Sequence, residues 1–152
     1  MMKRLVLGLG LGTCFSFLSL ANSQIPEIDR LSSGKSPADM SYYVEHYQNP
    51  GSPEYRDLLI GTRVAANAVN FYTTRLDARG QRIDYCLPMK DATSRETLWE
   101  WKTKDLMTII DNRLEHDPRL KKYGKAGIGG SIASYLTAAL KEQYPCPVQK
   151  QF

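Results

Sequence analysis

Apolar side chains recur at helical spacing along most of the chain, and no segment sustains an alternation of apolar and polar residues. The first helix is predicted to open with Ser36 as its N-cap and Pro37 at the first helical position, where the missing N–H costs nothing. It should end at the Asn-Pro-Gly sequence of residues 49–51. Its buried stripe has the i, i+3, i+4, i+7 spacing of an amphipathic helix and consists of Met40, Tyr43, Val44 and Tyr47.

A second, longer helix is predicted from the cap Ser52 and Pro53 to about Arg79, with Gly80 as its terminator. Its middle is rich in small residues, so a neighbouring helix can approach it closely there. The stripe predicted to face a partner helix consists of Leu58, Thr62, Ala65, Val69, Tyr72 and Leu76.

Residues 81–92 break the periodicity and are predicted to form a linker. Thr93 and Glu96 then have the spacing of a capping box, which predicts a third helix from there to about Leu114. Trp101 falls off the apolar stripe of this helix and is expected to be partly exposed. The predicted buried side consists of Leu98, Trp99, Leu106, Ile109, Ile110 and Leu114.

Asp117 and Pro118 are expected to start a short helical turn that ends at residues 123–124. The glycine-rich stretch 124–131 lacks the Gly-Lys-Ser/Thr ending of a phosphate-binding loop, and we predict a flexible joint instead. Four or five helices joined by short linkers predict an all-α bundle. The last of them should end at Tyr144, and its apolar side consists of Ile128, Ile132, Tyr135, Leu136, Ala139, Leu140 and Tyr144.

The N-terminal residues have the sequence of parts found in a secretory signal peptide. Lys3 and Arg4 form a positive head, an uncharged apolar run extends to Leu20, and small residues lead to a predicted cleavage after Ser23. Two alternatives are a retained membrane anchor and a lipoprotein modified at Cys14. Cleavage is the interpretation we favour, because the apolar run is short and is followed by polar chain.

Cleavage divides the chain into a signal peptide (1–23), a flexible N-terminal segment (24–35) and one helical domain (36–152). The exported domain is then expected in the periplasm, free of the membrane. Its net charge falls from +4 to +2, because the signal carries two basic residues and no acid. Such a balance lacks the concentrated basic face of a nucleic-acid-binding protein.

Cysteine usage gives the next prediction. With Cys14 in the signal, Cys86 and Cys146 are left in a compartment that favours disulfides, and they allow one pairing. The closed loop of about 60 residues would stabilise the domain by roughly 4 kcal/mol on the entropic model. The alternative, Cys86 as a nucleophile, would need His46 or His116 as its base.

The sequence offers little for catalysis. It has no Gly-x-Ser-x-Gly elbow and no His-Glu-x-x-His zinc helix, and its two histidines have no ligand-spaced partners. The acids are dispersed among lysines and arginines along helix faces. We therefore expect no cofactor, no metal and no enzymatic activity, which leaves a binding protein or an inhibitor as the favoured class.

From about Tyr55 to Cys146 the chain resembles the Rap/Tai family of type VI secretion immunity proteins. One matching element is the aromatic-Cys-x-Pro sequence of residues 85–88, and another is the Asp-Pro corner of residues 117–118. The most specific match is the closing Ala-Leu-x-x-x-aromatic-Pro-Cys of residues 139–146. A further cysteine that family members commonly carry is absent from this chain.

This resemblance implies a helical periplasmic inhibitor that forms a homodimer and blocks a cognate secreted toxin, a cell-wall amidase, by inserting a loop into the active-site cleft. The loop that we expect to contact the toxin contains Arg119, Lys121, Lys122, Tyr123 and Lys125. The alternative interpretation of this segment is a solvated surface turn. The alternative function is an envelope binding or housekeeping protein on the same scaffold, with no toxin partner.

Overall fold

A computed structural model of the chain describes residues 35–147. The predicted signal peptide, its cleavage point, Cys14 and residues 24–34 lie outside the described residues. Within the described part the regular structure is helical and no strand is formed, so the predicted all-α class is confirmed. The elements are α1 (Met40–His46), α2 (Pro53–Ala78), α3 (Thr103–His116), α4 (Pro118–Tyr123), a 3₁₀ helix (Gly124–Gly127) and α5 (Ile132–Gln143).

The three longest helices, α2, α3 and α5, each pack against the other two, and α1 contacts α2, α5 and the 3₁₀ helix. Burial of their apolar stripes provides the main stabilising term of the fold. No helix within residues 35–147 has both the length and the apolar content required to cross a bilayer. The largest fully buried side chains include Tyr43, Met40, Leu58, Leu106, Ile110, Ile132, Leu136 and Leu140.

Helix α1 begins at Met40, three residues later than the predicted first position, Pro37. The backbone next to Asp39 pairs with the start of α5: Met40 N–H donates to Gly130 O at 2.8 Å, and Ala38 O accepts from Ile132 N–H at 2.7 Å. These bonds hold Asp39 in extended conformation, so the helix cannot include it. Three residues of the predicted stripe, Met40, Tyr43 and Val44, are buried. The fourth, Tyr47, lies just past the end of the helix and is partly buried.

Helix α2 follows the prediction closely at both ends. The Ser52 hydroxyl accepts from Tyr55 N–H at 3.0 Å as an N-cap, and Gly80 has a φ of +63° just past the last turn. The predicted burial of Tyr72 is wrong, since this side chain is 63% exposed. The helix continues beyond Val69, its last buried residue, and so extends past the core.

Gly61 marks the point where another segment comes closest to α2. A Cβ atom at this position would lie 2.2 Å from Pro37 O, far inside any allowed contact. The small residue therefore admits the backbone that precedes α1, where the sequence had indicated a neighbouring helix. This contact fixes the N-terminal end of the described chain on α2.

The third helix begins at Thr103, so the predicted start at the Thr93–Glu96 capping box is wrong. The Asp91 carboxylate instead accepts hydrogen bonds from the backbone N–H groups of Thr93 and Ser94, both at 2.8 Å, and forms a local turn. Trp99, predicted to be buried, is 64% exposed, whereas Leu98 is buried as predicted. Trp101 is partly exposed, which confirms that prediction.

Side chains of α2 hold the segment before α3 in its irregular conformation. The Arg63 guanidinium donates to Leu98 O at 3.1 Å and to Trp101 O at 2.5 Å. Asn70 Oδ1 accepts from Leu98 N–H at 3.0 Å. Because these groups occupy backbone donors and acceptors that a helix would use internally, residues 93–102 remain outside α3.

The disulfide predicted between Cys86 and Cys146 is confirmed, with Cα atoms 4.8 Å apart and a sequence separation of 60. It connects the linker after α2 to the chain just after α5. Cys86 N–H also donates to Tyr144 O at 2.8 Å, so the same two segments are joined by backbone as well as by sulfur. The interpretation of Cys86 as a nucleophile is thereby wrong.

Candidate functional site

The candidate site is the basic turn, which we define as residues 119–125. It comprises most of α4 and the start of the 3₁₀ helix, and it follows directly on the end of α3. Pro118 occupies the first position of α4, as the Asp-Pro corner had predicted. The five residues proposed from the sequence to contact a partner, Arg119, Lys121, Lys122, Tyr123 and Lys125, are all exposed.

Asp117 connects this turn to the rest of the fold through its side-chain hydrogen bonds. Asp117 is 5% exposed, and it is both the C-cap of α3 and the N-cap of α4. Its Oδ1 accepts from Arg119 N–H at 2.8 Å, and its Oδ2 accepts from Arg119 Nη2 at 2.7 Å. The Tyr135 hydroxyl, on α5, donates to Oδ2 at 3.0 Å. One carboxylate thus joins α3, α4 and α5.

The electrostatics of this anchor follow from those contacts. Hydrogen bonds from the Arg119 side chain are the largest cause that holds the pKa of Asp117 well below its usual range. Burial, followed by the hydrogen bond to Asp117, raises the pKa of the Tyr135 hydroxyl to about 12. At physiological pH, Asp117 is therefore anionic and Tyr135 neutral, so the protonation state of this hydrogen-bonded pair does not change near neutral pH.

The 3₁₀ helix closes the turn against α4. A Cβ atom on Gly127 would lie 2.8 Å from Arg119 O and 2.8 Å from Tyr123 Cβ, so the glycine allows the chain to fold back tightly. Ile128, the next residue, is buried. The joint that the sequence predicted to be flexible is thus an ordered segment, with Gly130 bonded to Met40 as described above.

The outer surface of the turn is positive and carries one aromatic ring. Tyr123 is 59% exposed, and Lys122 Nζ lies 4.9 Å from the centroid of its ring. Among residues 35–147, no ion pair involves Lys121, Lys122 or Lys125. The sequence has no acid between Asp117 and Glu142, so the turn itself supplies no negative charge to its lysines. Across the fold, Glu45 interacts electrostatically with Lys125.

Arg119 differs from the three lysines. Its guanidinium is bound to Asp117, although about half of the side chain remains exposed. Its hydrogen bonds to that carboxylate also raise the pKa of Arg119 above its ordinary value. Arg119 therefore orients the turn, while the lysines and Tyr123 form the outer contact surface.

A depression of about 390 Å³ lies beside the turn. His116 and Asp117, at the end of α3, form part of its wall. Glu142, on α5, also lines it and forms an ion pair with Arg113. His116 Nδ1 donates to Asn112 O at 2.8 Å. The depression is lined by Arg113, His116, Asp117, Pro118, Arg119 and Glu142.

The chemistry available in this depression is limited by those pairings. A general base works best with a pKa near the operating pH, and the pKa of Asp117 is depressed far below it. The other carboxylate, Glu142, is paired with Arg113. Among residues 35–147, no group of three or more His, Cys, Asp and Glu side chains is placed to hold a metal ion.

A second depression, of about 410 Å³, lies at the start of α3 near the disulfide. Its aromatic wall is formed by Trp101 and Tyr144, whose ring centroids are 5.7 Å apart in an edge-to-face arrangement. The indole Nε1–H of Trp101 donates to Glu96 at 2.9 Å. This surface is shallow and mixed in polarity.

Sequence reasoning identified the exposed residues of the turn but not the anchor. The sequence indicates Asp117 as the start of a helical turn. It also places Tyr135, whose hydroxyl binds the Asp117 carboxylate, on the apolar side of the last helix. The pairing of Arg113 with Glu142 was also missed, because 29 positions separate the two residues. An Asp-Pro pair at a helix start was the local signal that could have indicated the buried cap.

No family model, no curated protein and no solved structure matches this chain.

Proposed function

We propose that this protein is an immunity-type inhibitor, which binds a secreted toxin in the periplasm and blocks it through the basic turn. The observation that carries the proposal is the combination of an anchored base and an exposed positive tip, whose lysines form no ion pair within residues 35–147. Asp117 holds the turn at its foot, and Lys121, Lys122 and Tyr123 project from it.

A protein inhibitor needs such rigidity, because ordering a loop on binding costs free energy that would be subtracted from affinity. The fourfold hydrogen bonding of Asp117 and the close packing at Gly127 keep the turn preorganised. Tyrosine is a favoured anchor in protein interfaces, since it buries a large ring and retains a polar end. Tyr123 is the large aromatic side chain that the turn exposes.

The positive tip favours a target with an acidic cleft. Three lysines without ion pairs in the described chain can make charge-assisted hydrogen bonds to carboxylates, and they steer an acidic partner toward the turn. The toxin class, a cell-wall amidase delivered by a type VI system, comes from the resemblance of residues 55–146 to the Rap/Tai family. The homodimer implied by that resemblance is part of the same proposal.

Two features support export and a non-catalytic role. A disulfide that joins the middle of the chain to its end is typical of proteins that work in an oxidising compartment. The carboxylates beside His116 are paired with Arg119 and Arg113, so neither carboxylate of that depression is free to act as a base.

The test is an inhibition titration. The protein is purified together with a candidate amidase toxin encoded in the same genome, and release of peptide from purified cell wall is measured as inhibitor is added. The triple variant K121E/K122E/Y123A should raise the inhibitor concentration needed by at least 100-fold, on the order of 3 kcal/mol of binding free energy.

The matched control is K104E/K141E/W99A, which changes two exposed lysines and an exposed aromatic residue away from the turn. It should inhibit like the natural protein. Equal inhibition by the turn variant and the natural protein would remove the basic turn from the interface. A candidate amidase that is inhibited by neither form would contradict the immunity function itself.

A second candidate function, an envelope binding protein without a toxin partner, is favoured by the depression at Trp101 and Tyr144. Aromatic walls of this kind can stack against a sugar ring or a peptide side chain. Titration with soluble cell-wall fragments, followed by tryptophan fluorescence, tests it. Saturable binding that is lost in Trp101→Ala and kept in Trp99→Ala would favour this function over toxin inhibition.

A further inference from the structure

The depression at the start of α3 combines an apolar bottom with a charged rim. Ile109, which is 5% exposed, is the most buried of its lining residues, and the rings of Trp101 and Tyr144 form its wall. The lining carries two carboxylates and one ammonium group, so its net charge is negative. The charged lining residues, all exposed, are Glu100, Lys102 and Asp105.

The aromatic wall is a surface that attracts a cation. The face of an indole or phenol ring is negative, and a cation within about 6 Å of the ring centre is drawn to it. The indole N–H of Trp101 donates to the Glu96 carboxylate at 2.9 Å. An anion therefore lies at the edge of that ring, and it holds the ring in one orientation.

Hydrogen bonds from the backbone hold both lining carboxylates in place. Asp105 Oδ2 accepts from Lys102 N–H at 3.2 Å, and within residues 35–147 no hydrogen bond or ion pair engages its Oδ1. Glu100 Oε2 accepts from Thr97 N–H at 3.0 Å, while its Oε1 forms an ion pair with Lys90. Each carboxylate thus has one oxygen that is fixed by the fold and one that faces a mobile group or solvent.

The pair of Lys90 and Glu100 is the contact that a ligand can replace. The two side chains are 56% and 41% exposed, and ion pairs so open to solvent are weak. Lys90 shows that an ammonium group on an aliphatic stem fits Glu100 Oε1. Lys90 is not one of the lining residues, so an amine that enters the depression gains contacts with the rings that Lys90 does not make.

We propose that this depression binds a peptide through an aliphatic side chain that ends in a primary amine, as in lysine. The stem packs on Ile109 and Trp101, and the ammonium group replaces Lys90 at Glu100. Lysine buries its stem along apolar surface and keeps its charge in water, which matches a buried bottom below an exposed rim. A neutral sugar ring has no charge for the carboxylates to pair with. The inference rests on the second candidate function, the envelope binding protein, and names the class of its ligand.

The test is a titration with the peptide acetyl-Ala-Lys-Ala-amide, followed through the fluorescence of Trp101 in a W99F background. A shallow site for one side chain should give a Kd on the order of 1 mM. Two control peptides, with norleucine or Nε-acetyl-lysine in place of lysine, should bind at least about tenfold more weakly, because neither carries the cation. Equal binding of the three peptides would overturn the recognition of an amine.

Two substitutions at the rim should have opposite effects on this binding. E100Q removes the carboxylate charge and should weaken binding about fivefold, whereas K90M removes the competing ammonium group and should strengthen it about threefold. The matched control is K35M, because Lys35 forms a similarly exposed ion pair with Glu45 on α1. It should leave binding unchanged. A K90M variant that binds no better than K35M would contradict the exchange of Lys90 for the ligand.

Soluble cell-wall fragments, titrated before and after chemical acetylation of their amines, separate this inference from the function on which it rests. Binding that acetylation abolishes supports both. Binding that survives acetylation overturns the recognition of an amine and leaves the envelope-binding function in place. Failure of both the fragments and the lysine peptide to bind would overturn both.

Discussion

The Tyr135 hydroxyl donates a 3.0 Å hydrogen bond to Oδ2 of Asp117, a carboxylate that also receives both backbone and side-chain bonds from Arg119. This contact joins α5 to the foot of the basic turn. The pKa of Asp117 is lowered and the pKa of Tyr135 is raised relative to their ordinary values. The contribution of each residue to the free energy of unfolding can therefore be measured from its dependence on pH.

Replacing Asp117 with Asn should destabilise the domain by about 2 to 4 kcal/mol, since it removes the buried charge and puts an amide donor where Oδ2 accepts from Arg119 and Tyr135. The pKa of Asp117 is depressed in the folded state, so its stabilising contribution is complete above the unfolded value of about 3.9 and is lost as pH falls through the folded value. Urea unfolding at pH 7 and pH 3 measures both effects. The difference in stability between D117N and the natural protein should shrink at pH 3.

Replacing Tyr135 with Phe removes the hydroxyl while keeping the buried ring, and should cost about 1 kcal/mol at pH 7. The raised pKa of about 12 means that the contribution of this hydroxyl is complete below about pH 10 and is lost as pH rises toward 12. Unfolding curves between pH 9 and 11.5 therefore should converge for the two proteins. Parallel curves over that range would contradict the assigned role of the hydroxyl.

The double substitution C86S/C146S should lower the free energy of unfolding by roughly 4 kcal/mol, because 60 residues are no longer closed into a loop in the unfolded chain. The measurement is urea unfolding with and without reductant. Reductant should bring the natural protein to the stability of the variant and leave the variant unchanged. Without reductant, Cys86 and Cys146 of the natural protein should not be alkylated, because both are in the disulfide.

Replacing Arg63 with Ala should release the segment before α3, since its guanidinium binds Leu98 O, Trp101 O and Thr103 Oγ1. We expect a loss of about 2 to 3 kcal/mol and faster amide hydrogen exchange in residues 97–103. The matched control is Arg56→Ala, an exposed arginine on the same helix. Unaltered exchange in that segment would show that Arg63 does not hold it.

Replacing Gly61 with Ala should displace the chain before α1, because the new methyl group would overlap Pro37 O. A loss of about 2 kcal/mol is expected, against the usual small gain from a helical Gly→Ala change. Gly51→Ala is the control, since no atom outside its chain neighbours lies within 4 Å of a Cβ there. Thermal unfolding of the two variants provides the comparison.

Local signals in the sequence were sufficient for α2 and α4. Ser52 with Pro53, and Asp117 with Pro118, place a side-chain acceptor directly before a proline, and this arrangement satisfies a helix start within three residues. The disulfide followed from counting, since two cysteines allow one bond. The exposure of the proposed contact residues also followed, because charged side chains in a short turn have nothing local to bury them.

The errors occurred where distant groups compete for the same backbone atoms. The Thr93–Glu96 capping box is a valid local pattern, but both of the backbone donors it needs have other acceptors. Thr93 N–H donates to the Asp91 carboxylate and Glu96 N–H donates to Pro88 O. Pro37 likewise looks like a helix start, whereas the bonds between residues 38–40 and the start of α5 keep that backbone extended. Tyr72 has the right spacing to be buried, but the core ends at Val69.

The sequence by itself determined the helical class, the starts of α2 and α4 and the covalent closure, because each depends on neighbours within a few residues or on a count. The tertiary structure alone decided which carboxylate anchors the basic turn, where α3 begins and that Trp101 meets Tyr144. Those outcomes depend on residues tens of positions apart meeting in space, and only packing of α2, α3 and α5 brings them together.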